Sequence, residues 1–196
     1  MNNIIVEKFK LTVCPYCNRD FINNRSSENA SAQLDHFYPK TRYPIFAICL
    51  SNLVPSCYTC NHIKRENIID FSPYDSSVDF NQEFKFTYTT DSVNFLYNFE
   101  EINIKFTKLN SNIKQMKLDE AYKIHKDYVS ELIKKARIYN ESQIREYIKG
   151  FSAMFSSKQE ILRIVFGNYI ENKDIGKRPL AKLTKDIIEE LGIDLK

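Results

Sequence analysis

Asp35 and His36 stand side by side in LDHFYPK, between apolar residues and just ahead of a proline and a lysine. A carboxylate can hold a metal ion and an imidazole titrates near neutral pH, so the pair has the parts for metal-assisted hydrolysis. Such a pair also occurs as surface chemistry or as a hydrogen-bonded core feature, and its flanks have to decide. Those flanks carry two C-x-x-C pairs, Cys14 with Cys17 in CPYC and Cys57 with Cys60 in CYTC. Four thiolates are the number that a closed tetrahedral zinc site needs; a redox dithiol is the competing reading. One zinc across both pairs closes a loop longer than that of a simple zinc ribbon, and LDHF lies inside it. The fifth cysteine, Cys49 in FAICLSN, is expected to be buried among its apolar neighbours.

The elements that must position these residues are short. AQLDHFY reads as a strand that ends before Pro39, and RYPIFAICL as a compact apolar connection. SNLVPSC offers a second strand, Asn52 to Val54, stopped by Pro55. CYTCNHIKREN contains neither Gly nor Pro and can form a short helix. Strand, connection, strand, knuckle and helix add up to a ββα unit with a zinc clip. Alternate strand residues point to opposite faces, so Asp35 and His36 can serve one site only if the strand ends there.

Asp35-His36, Asn52 in SNLVPSC and Asn61 in CNHIKREN together resemble the HNH endonuclease motif, in the variant whose ββα-metal fold is braced by two C-x-x-C pairs. The resemblance covers about residues 12 to 67. It implies that His36 is the general base, that Asp35 and Asn61 ligate the catalytic ion, and that Asn52 fixes the loop carrying the base. Many members carry His where Asn61 stands, so Asn implies a hard, oxygen-preferring ion such as Mg²⁺. Lys40, Arg42, Lys64 and Arg65 fit phosphate contacts, although single charges on exposed faces are usually only solvated. Asn61 as a helix cap and Asn52 as turn chemistry remain open beside those roles.

Beyond this module, EFKFTYTT, SVNFLYNF and INIKFTKL alternate like strands of a small antiparallel sheet. From Ser111 onward the pattern is helical. Leu118, Ala121, His125, Tyr128, Leu132, Ala136 and Tyr139 form a stripe on one long helix, with His125 expected at the core or its boundary. Asn140 with Gln143 and Ser157 with Glu160 read as capping boxes, and Pro179 and Gly192 as the start and finish of a last helix. Lys173, Lys177, Arg178, Lys182 and Lys185 form the most basic run, by default a solvated face.

The expected architecture is therefore α+β: a zinc-braced ββα-metal (HNH) module over residues 1–75, a small antiparallel β extension over 76–110, and a helical C-terminal region over 111–196. A length of 196 residues can bury a sizeable core, and 43% hydrophobic with 27% charged residues excludes a disordered chain. The net charge of +3 is too small to prove a nucleic-acid partner. No apolar run approaches the roughly 20 residues that span a membrane, and the N-terminus lacks the pattern of a signal peptide. A cytoplasmic protein with reduced thiols is the resulting expectation.

The resemblance implies a metal-dependent endonuclease that cuts DNA, RNA being an alternative, with structural Zn²⁺ and a catalytic Mg²⁺ or other divalent ion. It extends to nuclease subunits of restriction and anti-phage defence systems such as Septu, which act beside an ATPase. By that analogy the helical region would meet an ATPase or other defence subunit. The alternatives are a catalytically silent zinc module that binds nucleic acid or protein, and a toxin-like nuclease that cuts RNA.

Overall fold

The computed structural model describes residues 2–26, 28–151, 154–155 and 157–195. The chain divides into two compact units. The first comprises Met1–Glu83, Lys108–Leu118 and Gly176–Pro179; the second comprises Phe84–Thr107, Asp119–Ile175 and Leu180–Lys196. The fold is α+β, with two antiparallel sheets of two strands each among the described residues. No helix among the described residues is long and apolar enough to cross a membrane.

The first unit carries α1 (Asn2–Phe9), β1 (Gln33–His36), β2 (Leu53–Ser56), α2 (Tyr58–Lys64), α3 (Phe80–Glu83) and α4 (Ser111–Gln115). Strands β1 and β2 pair antiparallel, with Asp35 opposite Val54 and His36 opposite Leu53. Strand β1 stops at His36, as expected. Strand β2 does not stop at Pro55 but runs through it to Ser56. In a two-stranded ribbon each strand has an unpaired edge, so a residue without an N–H costs no ladder bond there. The ribbon is buried through Leu53 and Val54, and Ile5 and Val6 of α1 join the same core.

Two neighbouring segments are tied on by side-chain amides and hydroxyls. Asn112 of α4 accepts from the Phe71 N–H at 3.0 Å and donates to the Phe71 carbonyl at 2.8 Å. The Tyr74 hydroxyl donates to the Leu53 carbonyl at 2.8 Å, and burial pushes that phenol up to about 12. It therefore remains a donor throughout the neutral range.

The second unit carries β3 (Phe86–Thr90), β4 (Ile102–Phe106), α5 (Leu118–Tyr122), α6 (Lys126–Ile138), α7 (Glu141–Gly150), α8 (Lys158–Phe166) and α9 (Ala181–Glu190). Phe86 and Phe106 face each other across β3 and β4 with ring centroids 4.2 Å apart, and Tyr122 packs 4.4 Å from Phe86. These three rings form an aromatic core of the unit. SVNFLYNF is not a strand. Ser92 accepts from the Asn94 N–H and Asn98 from the Glu100 N–H, which turns the chain into 3-10 segments Val93–Leu96 and Phe99–Glu101. Val93 and Tyr97 are left in water.

The long helix expected from Leu118 is two helices, α5 and α6, joined by a 3-10 turn at Lys123–His125. A stripe at three- and four-residue steps survives such a turn, which is why the pattern looked continuous. His125 lies half-buried with its ring edge-on to Tyr122, at the core boundary. Asn140 and Ser157 cap α7 and α8 by accepting from the N–H groups of Gln143 and Glu160. Gly192, at φ 83, lies past the end of α9 in the left-handed region that glycine tolerates.

The basic run is not simply a solvated face. Lys182 is buried and ion-paired with Asp186 on the next turn of α9, and Asp186 also accepts from the Phe86 N–H of β3 at 2.9 Å. Burial lowers the pKa of Lys182 and raises that of Asp186, each against the attraction of the other. Removing one partner leaves an uncompensated charge in the interior. Asp186→Ala should therefore destabilise the protein by about 3–5 kcal/mol in urea unfolding. Asp186→Asn, which keeps an acceptor for Phe86, should lose less.

Candidate functional site

The sulfurs of Cys14, Cys17, Cys57 and Cys60 all lie within 4.8 Å of one another and are buried. Cys17 Sγ and Cys57 Sγ are 3.9 Å apart. A tetrahedron with Zn–S bonds of about 2.3 Å has edges of about 3.8 Å, so the cluster has the dimensions of a zinc site. The local backbone builds it. A bridge between Val13 and Phe21 folds CPYC into a hairpin, with Asn18 at φ 49 in the left-handed region that Asn tolerates. Cys57 is the N-cap of α2, its sulfur accepting from the Cys60 N–H at 3.4 Å. Further N–H groups point at sulfur from Arg19 to Cys17 and from Cys57 to Cys14. Donors aimed at sulfur are what a thiolate calls for.

Packed this closely, the sulfurs compete for charge. Hydrogen bonds from Cys14, and then from Cys57 and Cys60, pull Cys17 well below the ordinary thiol value. The bonds to Cys14 and Cys17 push Cys57 and Cys60 well above it. A dication among them would let all four be thiolates, and the four cysteines could hold a zinc ion.

Strand β1 and helix α2 meet directly above this cluster. Gln33 and Asp35, two apart on β1, share one face. Asn61 and Lys64, three apart on α2, share another. The Asn61 amide donates to Gln33 Oε1 at 2.6 Å, and Lys64 Nζ lies 3.0 Å from Asp35 Oδ2. Asp35 is 2% exposed and Lys64 not at all. The Tyr16 hydroxyl, from within CPYC, donates to Asp35 Oδ2 at 2.7 Å, and Lys64 Nζ also donates to the His36 carbonyl at 2.8 Å. Burial, reinforced by the Asp35 carboxylate, raises the Tyr16 phenol well above its usual value, so it stays a donor. Lys64, expected among the phosphate contacts, is instead an internal cation whose ammonium is spent on Asp35 and the end of β1.

His36, at the end of β1, turns to the connection instead. Its Nε2 lies 3.0 Å from the Ala47 carbonyl oxygen. A carbonyl can only accept, so Nε2 carries the proton and the neutral ring has its lone pair on Nδ1. Nδ1 has no hydrogen-bond partner among the described residues. The connection is itself pinned by buried Asn52. Its amide donates to the carbonyls of Tyr38 at 3.0 Å and Phe46 at 3.1 Å, and its Oδ1 accepts from the Tyr38 N–H at 2.7 Å. These bonds tie the start and the middle of the connection to its last residue.

Asn61 is not the helix cap, because Cys57 holds that position. Lys40, Arg42 and Arg65 are exposed. Arg65 Nη2 lies 2.9 Å from His62 Nε2, and the His62 ring stacks on Tyr58. Cys49 is half-exposed rather than buried: its run lies on the outside of the connection, and its sulfur is 3.1 Å from the Ser51 hydroxyl, which lowers its pKa. No hydrogen bond joins the side chains of Asp35, His36 and Asn61 to one another among the described residues. Sequence reasoning missed Tyr16, Gln33 and the Ala47 carbonyl. Tyr16 and Gln33 had a signal, a polar side chain inside the knuckle and one two residues before Asp35 on the same strand face. A backbone carbonyl has none.

Comparison of the chain with protein-family models, with curated proteins and with solved structures finds no match in any of the three.

Purified protein should contain one zinc per chain by metal analysis. Cys57→Ser should lose both the metal and the cooperative unfolding of the first unit, since structural zinc contributes on the order of 10 kcal/mol. Cys49→Ser should keep both. Equal zinc loss from the two variants would show that the ligand set is wrong.

Proposed function

We propose that the β1–connection–β2–α2 module is a metal-dependent endonuclease of the HNH kind that hydrolyses phosphodiester bonds in DNA. The observation that carries this reading is the environment of His36. The Ala47 carbonyl holds the ring by Nε2 and thereby assigns the lone pair to Nδ1, which has no hydrogen-bond partner among the described residues. A base for deprotonating water needs that arrangement: one nitrogen fixed, the other free. Asn52 supports it by holding the segment that contains Ala47.

A hard divalent ion such as Mg²⁺ would be held by Asp35 and Asn61, whose carboxylate and amide oxygens suit it. The Asn61 amide nitrogen is bound to Gln33, which leaves the side-chain oxygen as the ligand atom. When bound, the ion supplies positive charge to the phosphate and the leaving oxygen. The chain's own residues do the rest. His36 takes a proton at Nδ1, Asn52 keeps the connection in place, and exposed Lys40, Arg42 and Arg65 offer charge to phosphates on either side of the cut.

One observation favours the rival reading of a zinc-braced binding module without catalysis. Both oxygens of Asp35 lie within reach of Lys64, and Oδ2 also accepts from Tyr16, so an ion at Asp35 has to share the carboxylate with an internal cation. The two readings diverge in one experiment, a plasmid-nicking assay across a Mg²⁺ and Mn²⁺ series. The nuclease should cut only with a divalent ion. His36→Ala should lose at least about 100-fold in rate while keeping zinc, fold and affinity for the polymer. Asp35→Ala and Asn61→Ala should also fail, and extra ion should rescue Asn61→Ala more than Asp35→Ala, since only the latter loses a charge. Wild type that binds DNA or RNA but cuts neither at any ion concentration would favour the binding module.

A further inference from the structure

The connection between β1 and β2 carries three partly exposed aromatic rings. Tyr38, Tyr43 and Phe46 are 42%, 36% and 40% exposed. They lie against one another, with centroids 5.4 Å apart for Tyr38 and Tyr43, 5.9 Å for Tyr38 and Phe46, and 6.4 Å for Tyr43 and Phe46. Ile48, one residue beyond Ala47, is 88% exposed. This surface is held by polar bonds to Asn52 rather than by sinking its rings into the core. It is therefore preorganised and still open.

Its charge is one-sided. Residues 37–56 contain Lys40 and Arg42 and not one Asp or Glu. Both basic side chains are exposed and stand between Tyr38 and Tyr43 in the chain. Flat rings interleaved with cations match a strand that alternates flat bases with phosphates. Base faces are available for stacking only where the strand is unpaired, because a duplex hides them in its own stack. The segment also adjoins the candidate site in the chain, since Ala47, whose carbonyl holds His36, sits between Phe46 and Ile48.

We infer that the Tyr38–Tyr43–Phe46 surface is a stacking platform that binds unpaired, single-stranded nucleic acid, with Lys40 and Arg42 on its phosphates. This deepens the nuclease reading and rests on it for what happens to the strand, but the platform can be tested by binding alone.

The probe is a fluorescent oligothymidylate of about 15 nucleotides, compared with a duplex of the same length by anisotropy in buffer without added divalent ion. Wild type should bind the single strand at least about tenfold more tightly than the duplex at equal salt. Tyr43→Ala and Phe46→Ala should each weaken single-strand binding about tenfold and leave duplex binding unchanged. Tyr43→Trp should retain it. Zinc content serves as the check on folding, and Phe46→Leu, which keeps apolar bulk without a ring, should weaken binding like the alanine variant. Duplex binding as tight as single-strand binding, or ring variants with unchanged single-strand affinity, would overturn the inference. So would no binding to either polymer at low salt, which would hand the surface to a protein partner. Wild type that binds single strands through these rings but never cuts them would overturn the nuclease reading alone. Wild type that cuts duplexes, with the ring variants unimpaired, would overturn the platform alone.

Discussion

Four sulfurs buried within 4.8 Å of one another can share charge comfortably only with a cation among them, and the first unit is arranged around that constraint. Cys57 joins three features in one residue. It directly follows β2, caps α2 and contributes a sulfur to the cluster. Its partners across the cluster come from CPYC, so the N-terminal hairpin, the ribbon and the helix are fastened at one point. Fixing the start of α2 fixes the direction of Asn61 about one turn later and of Lys64 about two turns later. The four-residue strands and seven-residue helix are too short to supply this order by themselves.

Above the cluster, polarity is treated in two ways on the two faces of β1. On one face Asp35 is taken out of water and compensated at once by Lys64 and Tyr16. Such a pair is costly to bury and costlier to break, and the third contact of Lys64, to the His36 carbonyl, ties it to the end of the strand. On the other side, His36 has one nitrogen bound and the other without a hydrogen-bond partner among the described residues. The same short strand thus carries a locked carboxylate and an imidazole held by one nitrogen. The alternation of a β-strand separates them, and the end of β1 at His36 leaves the imidazole free to turn toward the connection.

The connection shows a related division of labour. Buried Asn52 satisfies backbone groups at Tyr38 and Phe46, so the segment beyond buried Phe37 can be ordered with its apolar side chains largely outside the core. That is why a run as apolar as RYPIFAICL lies on the surface, Cys49 included. The second unit follows the commoner rule. Its rings at Phe86, Phe106 and Tyr122 go inside, and the buried Lys182–Asp186 pair ties α9 to β3 through Asp186.

Much was legible from residue order because it depends on spacing. The two C-x-x-C pairs, the ββα order, the end of β1 at His36 and the caps at Asn140 and Ser157 are short-range features, set by which atoms a few residues can bring together. SVNFLYNF misled because alternation is a weak signal once Ser92 and Asn98 offer the backbone a turn instead. Only the tertiary structure could decide the rest. That Lys64 turns inward to Asp35 rather than outward to solvent depends on where α2 crosses β1. That Tyr16 reaches Asp35, 19 residues away, depends on the cysteine cluster closing. The proton on His36 is assigned by the Ala47 carbonyl, a backbone atom that every residue type possesses and that no sequence pattern can single out. Residue types and spacings establish which groups can react, while their burial and their partners are set by contacts between segments far apart in the chain.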